Sequence, residues 1–204
     1  MALTSAALVS ENRRVTSKPT IRSQVRQTRD RWQQESPAEF AAASAAIVNR
    51  LLSLSDVVEA KTWFVYISTA SEVATHDLIR TLLERRYTVA APLMVGAGAM
   101  LARQIHSFQE LRLGARGILQ PAGGEPLHGL IDVCVCPGIA FSEQCDRLGW
   151  GPGYYDRFLA TQHAGLTVGL AFECQIVSQI PREWHDHRMD LVITERRIIR
   201  RQKL

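Results

Sequence analysis

The sequence predicts an α/β fold: a mostly parallel central sheet sandwiched between helix layers, in a single domain. Three observations carry this. β-branched, aromatic or otherwise apolar runs at residues 62–67, 87–91, 133–136, 166–171 and 190–194 alternate with stretches of helical periodicity. Strands that alternate with helices imply parallel pairing with both sheet faces covered. The 204 residues, 46% hydrophobic and 22% charged, suffice for one sizeable core, with no internal repeat and no linker to split it.

The elements follow in order. No apolar run approaches the roughly 20 residues needed to span a bilayer. Residues 1–10 are mildly apolar, but charge follows them rather than precedes them, which makes a poor secretory signal. Residues 1–18 are expected to be a disordered extension before a domain at 19–204, and a cytoplasmic location follows by default. From Lys18 to about Gln34 the chain reads as a helix. Pro19 suits its first turn, and Ile21, Val25, Thr28 and Trp32 form an apolar stripe. Arg22, Arg26 and Arg29 repeat the same spacing on the neighbouring face, either solvated or turned toward an anion. Ser36, Pro37 and Glu39 open an alanine-rich helix that runs to about Ser53, with Ser36 as N-cap and Glu39 completing a capping box.

Strand 62–67 exits into Ser68-Thr69-Ala70-Ser71, at the sheet edge where open α/β folds bind ligands. Glu72 stands there, either as a ligand-binding carboxylate or as a helix-start charge. Thr75 or Ser71 caps the next helix, which buries Leu78, Ile79, Leu82 and Leu83. Strand 87–91 ends at Pro92, a short strand covers 100–105, residues 114–125 read as loop, and 190–194 is the last strand.

The central stretch is strand, glycine-rich loop, helix. Pro137 and Gly138 stop the apolar run at 133–136, and Ile139-Ala140-Phe141 forms a second apolar patch. Arg147-Leu148-Gly149-Trp150-Gly151-Pro152-Gly153 has glycine at every second position, and Tyr154-Tyr155-Asp156-Arg157-Phe158 begins a helix. Such a loop can cradle phosphate, because backbone N–H groups approach without obstruction and a helix N-terminus adds more. Arg147 can grip phosphate, and Asp156 can hold a magnesium ion. A tight turn that packs a helix on a sheet fits the spacing equally well. The pattern is neither a Walker A loop nor the dinucleotide fingerprint.

The formal charge of +4 is concentrated at the ends: Arg13, Arg14, Lys18, Arg22, Arg26, Arg29 and Arg31 in front, Arg196, Arg197, Arg200, Arg201 and Lys203 behind. Nucleic acid, a small polyanion and plain solvation all fit that distribution, but no nucleic-acid module or interleaved aromatics accompany it. Cys134, Cys136, Cys145 and Cys174 form no C-x-x-C pair and read as reduced structural cysteines. His185-Asp186-His187 lacks metal-ligand spacing, and no Gly-x-Ser-x-Gly elbow is present.

The motif Arg147-Leu-Gly-x-Gly-x-Gly-Tyr-Tyr-Asp-Arg-Phe-Leu159, preceded by Pro137-Gly-Ile-Ala-Phe141, resembles the signature of the 5-formyltetrahydrofolate cyclo-ligase family. The likeness runs from about Ile21 to Ile198. It includes Ser71-Glu-Val-Ala-Thr75, Gly117-Ile-Leu-x-Pro121, Ala171-Phe-x-x-Gln175 and the closing Pro-x-x-x-His-Asp segment. It implies an α/β enzyme that uses ATP and magnesium to cyclise 5-formyltetrahydrofolate to 5,10-methenyltetrahydrofolate, by phosphorylation of the formyl oxygen and attack by N10. The chain is expected to be a monomer whose partners are the reduced folate and ATP, with neither nucleic acid nor membrane.

By the same resemblance, Arg22 and Arg26 take the family's basic pair, usually lysine then arginine four residues on, at the ATP phosphates. Arg147 and the run Gly149, Trp150, Gly151, Pro152, Gly153, Tyr154 and Tyr155 take the ATP loop. Ile67, Glu72, Trp150 and Tyr154 take the folate contacts, Asp156 and Asp186 the magnesium-associated carboxylates, and Arg147, Tyr154 and Asp156 the catalytic positions. The chain departs from the family pattern at Arg22 for lysine, at Gln120 for glutamate, and at Trp150 and Pro152, where basic residues or glycine are usual. Those last two changes keep a second expectation open: a relative that binds folate or nucleotide without turnover.

Overall fold

The structure, a computed structural model, describes residues 17–202 apart from 70, 97, 115 and 116. In chain order its elements are α1 (Lys18–Glu35), α2 (Pro37–Leu52), β1 (Thr62–Val65), α3 (His76–Glu84), β2 (Thr88–Val95), β3 (Ala99–Ile105), β4 (Leu111–Leu113) and β5 (Leu119–Pro121). There follow β6 (Ile131–Cys136), β7 (Ala140–Ser142), β8 (Arg147–Leu148), α4 (Tyr154–Thr161), β9 (Ala164–Leu170), β10 (Ile176–Val177), β11 (Leu191–Ile193) and β12 (Ile198–Arg200). Seven strands make the main sheet in the order β12-β11-β9-β6-β1-β2-β3. Its five central strands are parallel, and antiparallel β12 and β3 close the two edges. The mostly parallel α/β sheet that the sequence predicts is the observed one.

The chain passes from β1 through α3 to β2 on one side of the sheet centre, and from β6 through α4 to β9 on the other. Right-handed crossovers that run in opposite directions put their helices on opposite faces. The order therefore reverses between β1 and β6, and the carboxyl ends of those two strands open a crevice. Phe158 of α4 lies on Phe64 of β1 with ring centroids 4.6 Å apart. Trp32 of α1, Phe40 of α2 and Phe172 after β9 form an aromatic trio at 4.2–5.3 Å. Ile21 and Val25 pack with Ile139, Ala140, Leu148 and Ile180. The first turns of α1 are thereby held against β7 and β8, beside the crevice.

Several local expectations change. Thr28 is exposed, and Arg29, four residues after Val25, occupies the buried line of α1. Ser36 is the N-cap of α2 but makes no side-chain cap bond; its N–H is spent on Trp32 O, ending α1. β2 does not stop at Pro92. Its pairing with β1 ends at Ala90, so the missing N–H of Pro92 interrupts no ladder on that side. The loop at 114–125 contains β5, which pairs with β4, and the last strand is β12 rather than β11. Of the expected extension, residues 1–16 lie outside the described residues, and Lys18 is the first residue of α1. The basic C-terminal cluster is largely ion-paired within the chain: Arg197 with Glu143 and Glu173, Arg200 with Asp56, Arg201 with Asp190.

Gly169 of β9 marks the tightest part of the interior. A Cβ built there would sit 2.4 Å from the ring of the fully buried Phe141. Gly169→Ala is expected to cost about 1–3 kcal/mol through overpacking. Urea unfolding measures it, and an unchanged midpoint would show that Phe141 can move aside.

Candidate functional site

The crevice is a cavity of about 870 Å³, within the range of small-molecule and cofactor sites. The exit of β1, the segment from β6 to α4 and residues 183–186 build it with α1, and Pro92 and Met94 of β2 with Ile118 and Gln120 at β5 complete the wall.

The glycine-rich loop is anchored at both ends. Arg147 leaves β8 with its side chain nearly wholly buried and donates Nη2–H to Asp156 Oδ1 at 2.7 Å, tying the strand before the loop to the helix after it. The Arg147 guanidinium also lies over Tyr155, 5.5 Å from the ring centroid. Arg22 of α1 donates Nε–H to Gly149 O at 2.8 Å. Gly153, the N-cap of α4, has φ 70°, a left-handed turn that favours glycine. Between these anchors the loop backbone and the first turn of α4 line the cavity.

On the β1 side, Glu72 is buried and held by its own loop. Its Oε2 accepts from the Thr69 N–H at 2.9 Å and the Thr69 hydroxyl at 3.0 Å. Among the described residues its Oε1 accepts only a long bond, 3.4 Å, from Trp150 Nε1. Ile67 and Tyr66 line the wall beside it. The Tyr66 hydroxyl is spent on Val73 O at 2.8 Å, and burial pushes both the Tyr66 and Tyr155 phenols up, so both stay protonated.

The predicted residues Arg22, Ile67, Glu72, Arg147, Gly149, Trp150, Gly151, Pro152, Gly153, Tyr154, Tyr155, Asp156 and Asp186 all line this one cavity. Arg26 does not. It is exposed, with its guanidinium 4.8 Å from the centroid of the Trp150 ring. The cavity-facing basic pair on α1 is instead Lys18 and Arg22, one turn earlier, which restores the order lysine then arginine. The signal was available in the sequence, because Lys18 stands four residues before Arg22 on the same helix face. Trp150 is 47% exposed, so it forms rim rather than plug. Pro152 offers its carbonyl to Arg157 Nη2 at 2.5 Å. Glu183, which the sequence reading does not single out, also reaches the lining, as does His185, weighed there only as part of His185-Asp186-His187.

Two buried polar atoms of lining residues have no partner among the described residues: Arg147 Nε and the Tyr155 hydroxyl. The carboxylates suit magnesium, which takes one or two protein oxygens and completes its shell from phosphates and water. Asp156 Oδ1 is occupied by Arg147 and by the His187 N–H at 3.3 Å, while nothing among the described residues bonds to Oδ2. No cluster of three ligating side chains occurs among the described residues, so a metal here depends on phosphate oxygens. Burial pushes the Cys145 and Cys174 thiols up to about 11, out of nucleophilic range.

Fold and site together define an α/β protein with a glycine-rich loop facing a buried glutamate across the sheet's switch point. Residues 14–195 match the model of the 5-formyltetrahydrofolate cyclo-ligase family, and the chain belongs to that family. A 5-formyltetrahydrofolate cyclo-ligase of Escherichia coli is 32% identical over 182 residues, 85% of this chain and 98% of that one. The solved 5,10-methenyltetrahydrofolate synthetase of Aquifex aeolicus superposes with a TM-score of 0.79 at 29% identity, covering 92% and 94% of the two chains. A 5,10-methenyltetrahydrofolate synthetase of Mycoplasma pneumoniae shares the fold, with a TM-score of 0.70 at 21% identity. No described helix is long and apolar enough to cross a membrane.

Lys18 Nζ donates to both Glu183 Oε1 and Asp186 Oδ2 at 2.8 Å. Burial alone would raise the Asp186 carboxyl, but the bonds from Lys18 and the Glu183 N–H outweigh it and hold it below the usual range. Burial would lower Lys18, and its bonds to the Asp186 and Glu183 carboxylates raise it instead. The Asp186 contribution to stability is full above the unfolded carboxylate value of about 4 and is lost as pH falls through the lower folded one. The Lys18 contribution is full below the unfolded lysine value of about 10.4 and is lost as pH rises through the higher folded one. The stability gap between wild type and Lys18→Met, read from urea melts, should therefore hold from about pH 5 to 9 and shrink progressively as pH falls below about 4. A gap that persists in acid would assign it to packing of the lysine stem.

Proposed function

We propose that the chain converts 5-formyltetrahydrofolate to 5,10-methenyltetrahydrofolate at the expense of ATP, with magnesium. The observation that carries this is the meeting of two unlike walls in one cavity. A buried carboxylate, Glu72, sits among apolar and aromatic side chains on one wall, and a cation-lined glycine loop forms the other. A pterin offers an N–H edge to the first, and a triphosphate suits the second.

The formyl oxygen is a poor leaving group. Its attack on the γ-phosphoryl group releases ADP and leaves the oxygen as a phosphate ester. N10 then attacks the formyl carbon and loses its proton, and the C–O bond breaks with departure of phosphate. The chain supplies position and countercharge rather than a covalent nucleophile. Glu72 Oε1 takes the pterin edge, with Ile67, Trp150 and Tyr154 packing on the ring system. Lys18, Arg22, Arg147 and the N–H groups from Gly149 to Tyr155 take the phosphates, Pro152 excepted. Arg26 acts at one remove, through the indole of Trp150. Asp156 and Asp186 hold the magnesium ion, which when bound neutralises phosphate charge.

The test is growth of the methenyl-folate absorbance band with purified protein, 5-formyltetrahydrofolate and magnesium, with and without ATP. ATP-dependent growth is expected. Absence of growth while both ligands still bind would favour a non-catalytic relative. Asp156→Asn should abolish turnover with the fold intact, and near-normal activity would sink its assignment. Glu72→Ala should raise KM for the folate about ten- to a hundredfold and leave KM for ATP unchanged. Equal losses for both would make Glu72 structural.

A further inference from the structure

Both candidate metal carboxylates already hold a cation, and in each pair that cation is itself poised for phosphate. Asp156 holds Arg147 at 2.7 Å, and Asp186 holds Lys18 at 2.8 Å. The two pairs differ in freedom. Arg147 is buried, contacts Pro137 O at 3.4 Å and covers Tyr155. Lys18 stands in the first turn of α1 on a flexible four-carbon stem, and its only bonded partners among the described residues are Glu183 and Asp186.

We infer that Lys18 is a placeholder for the metal ion: its ammonium and a divalent cation are alternative occupants of Asp186, and nucleotide phosphate decides between them. The inference rests on the ATP- and magnesium-dependent reading above. A divalent cation that approaches Asp186 alone meets the Lys18 ammonium beside it, and like charges in a part-buried site repel. A polyphosphate that arrives alone draws Lys18 away and is left facing Asp186 and Glu183. Only the two together satisfy every group, with ammonium on phosphate and carboxylate on metal. Metal and nucleotide binding are then positively coupled, and the site takes them as one complex.

Mn2+ is the probe, read by electron paramagnetic resonance on the full chain with and without a non-hydrolysable ATP analogue. Wild type should bind Mn2+ about tenfold more tightly with the analogue than without it. Lys18→Met and Lys18→Gln, each checked for fold by circular dichroism, should bind Mn2+ alone about tenfold more tightly than wild type. Lys18→Arg, which keeps the cation, should resemble wild type. Addition of Asp186→Asn to Lys18→Met should remove the gain. Mn2+ affinity that is the same in wild type and both neutral variants, or a gain that survives Asp186→Asn, overturns the inference. The metal-only arms need no nucleotide, so failure to bind the analogue would sink the ATP reading separately.

Discussion

Parallel pairing of β6 with β1 on one side and β9 on the other is the constraint from which the site follows. A strand paired on both sides and covered on both faces commits its backbone groups to neighbours, so it is apolar and short. Val133 to Cys136 are accordingly all buried. Parallel neighbours all end on the same edge, and each must be reached by a crossover. The crossovers from β1 and β6 diverge, so the loops after those strands are left facing each other. The Glu72 loop and the glycine-rich segment therefore meet although 75 residues separate Glu72 from Arg147 in sequence.

Charge balance is the second constraint, and it acts within the cavity. A buried guanidinium or carboxylate without a partner costs several kcal/mol, whereas a well-bonded pair comes near to neutral. The structure meets this with short pairs, Arg147 with Asp156 and Lys18 with Asp186, plus backbone donors to the carboxylates from Glu183 and His187. These pairs also brace the loop, since Arg147 and Asp156 flank it. The groups that would bind phosphate and metal are thus the same groups that hold the loop in shape. On the proposed reading, recognition is an exchange of partners more than a filling of space.

What the sequence made readable follows the physics of each element. The strong strands, α1, α2 and the glycine loop carry local signals: apolar runs, stripes at helical spacing, capping residues and glycine punctuation. β5 and β12 carry little. Each has three residues, and β12 is written in arginine and isoleucine, with only Ile199 buried. Their identity comes from the strands they pair with, which is tertiary information. Arg29 shows the same limit inside a helix. Its spacing was visible, but its 1% exposure depends on Ser71, 42 residues away, accepting from Nη2 at 2.9 Å. For the site, Glu72, Arg147, Asp156 and Asp186 were marked by the family motif, and the register of the basic pair was not. Lys18 and Arg22 stand four apart just as Arg22 and Arg26 do, so spacing alone offers both pairs, and the packing of Ile21 and Val25 turns the earlier one toward the cavity.

The departures at Trp150 and Pro152 look disruptive in a list of residues and much less so in the fold. The left-handed turns that the loop requires fall on Gly151, at φ 126°, and Gly153, at φ 70°, so the fixed φ of proline falls between them rather than on them. The carbonyl of Pro152 gains Arg157, which also donates to Gly98 O and so ties the loop to the start of β3. Trp150 keeps one edge on Glu72 and one face under Arg26. Neither residue takes part in the anchors that set the loop, Arg22 to Gly149 and Arg147 to Asp156. The substitutions thus replace charge at the rim with an aromatic surface and supply the guanidinium from α1 instead. What they alter is the surface of the cavity mouth, while the shape of the loop is held from elsewhere.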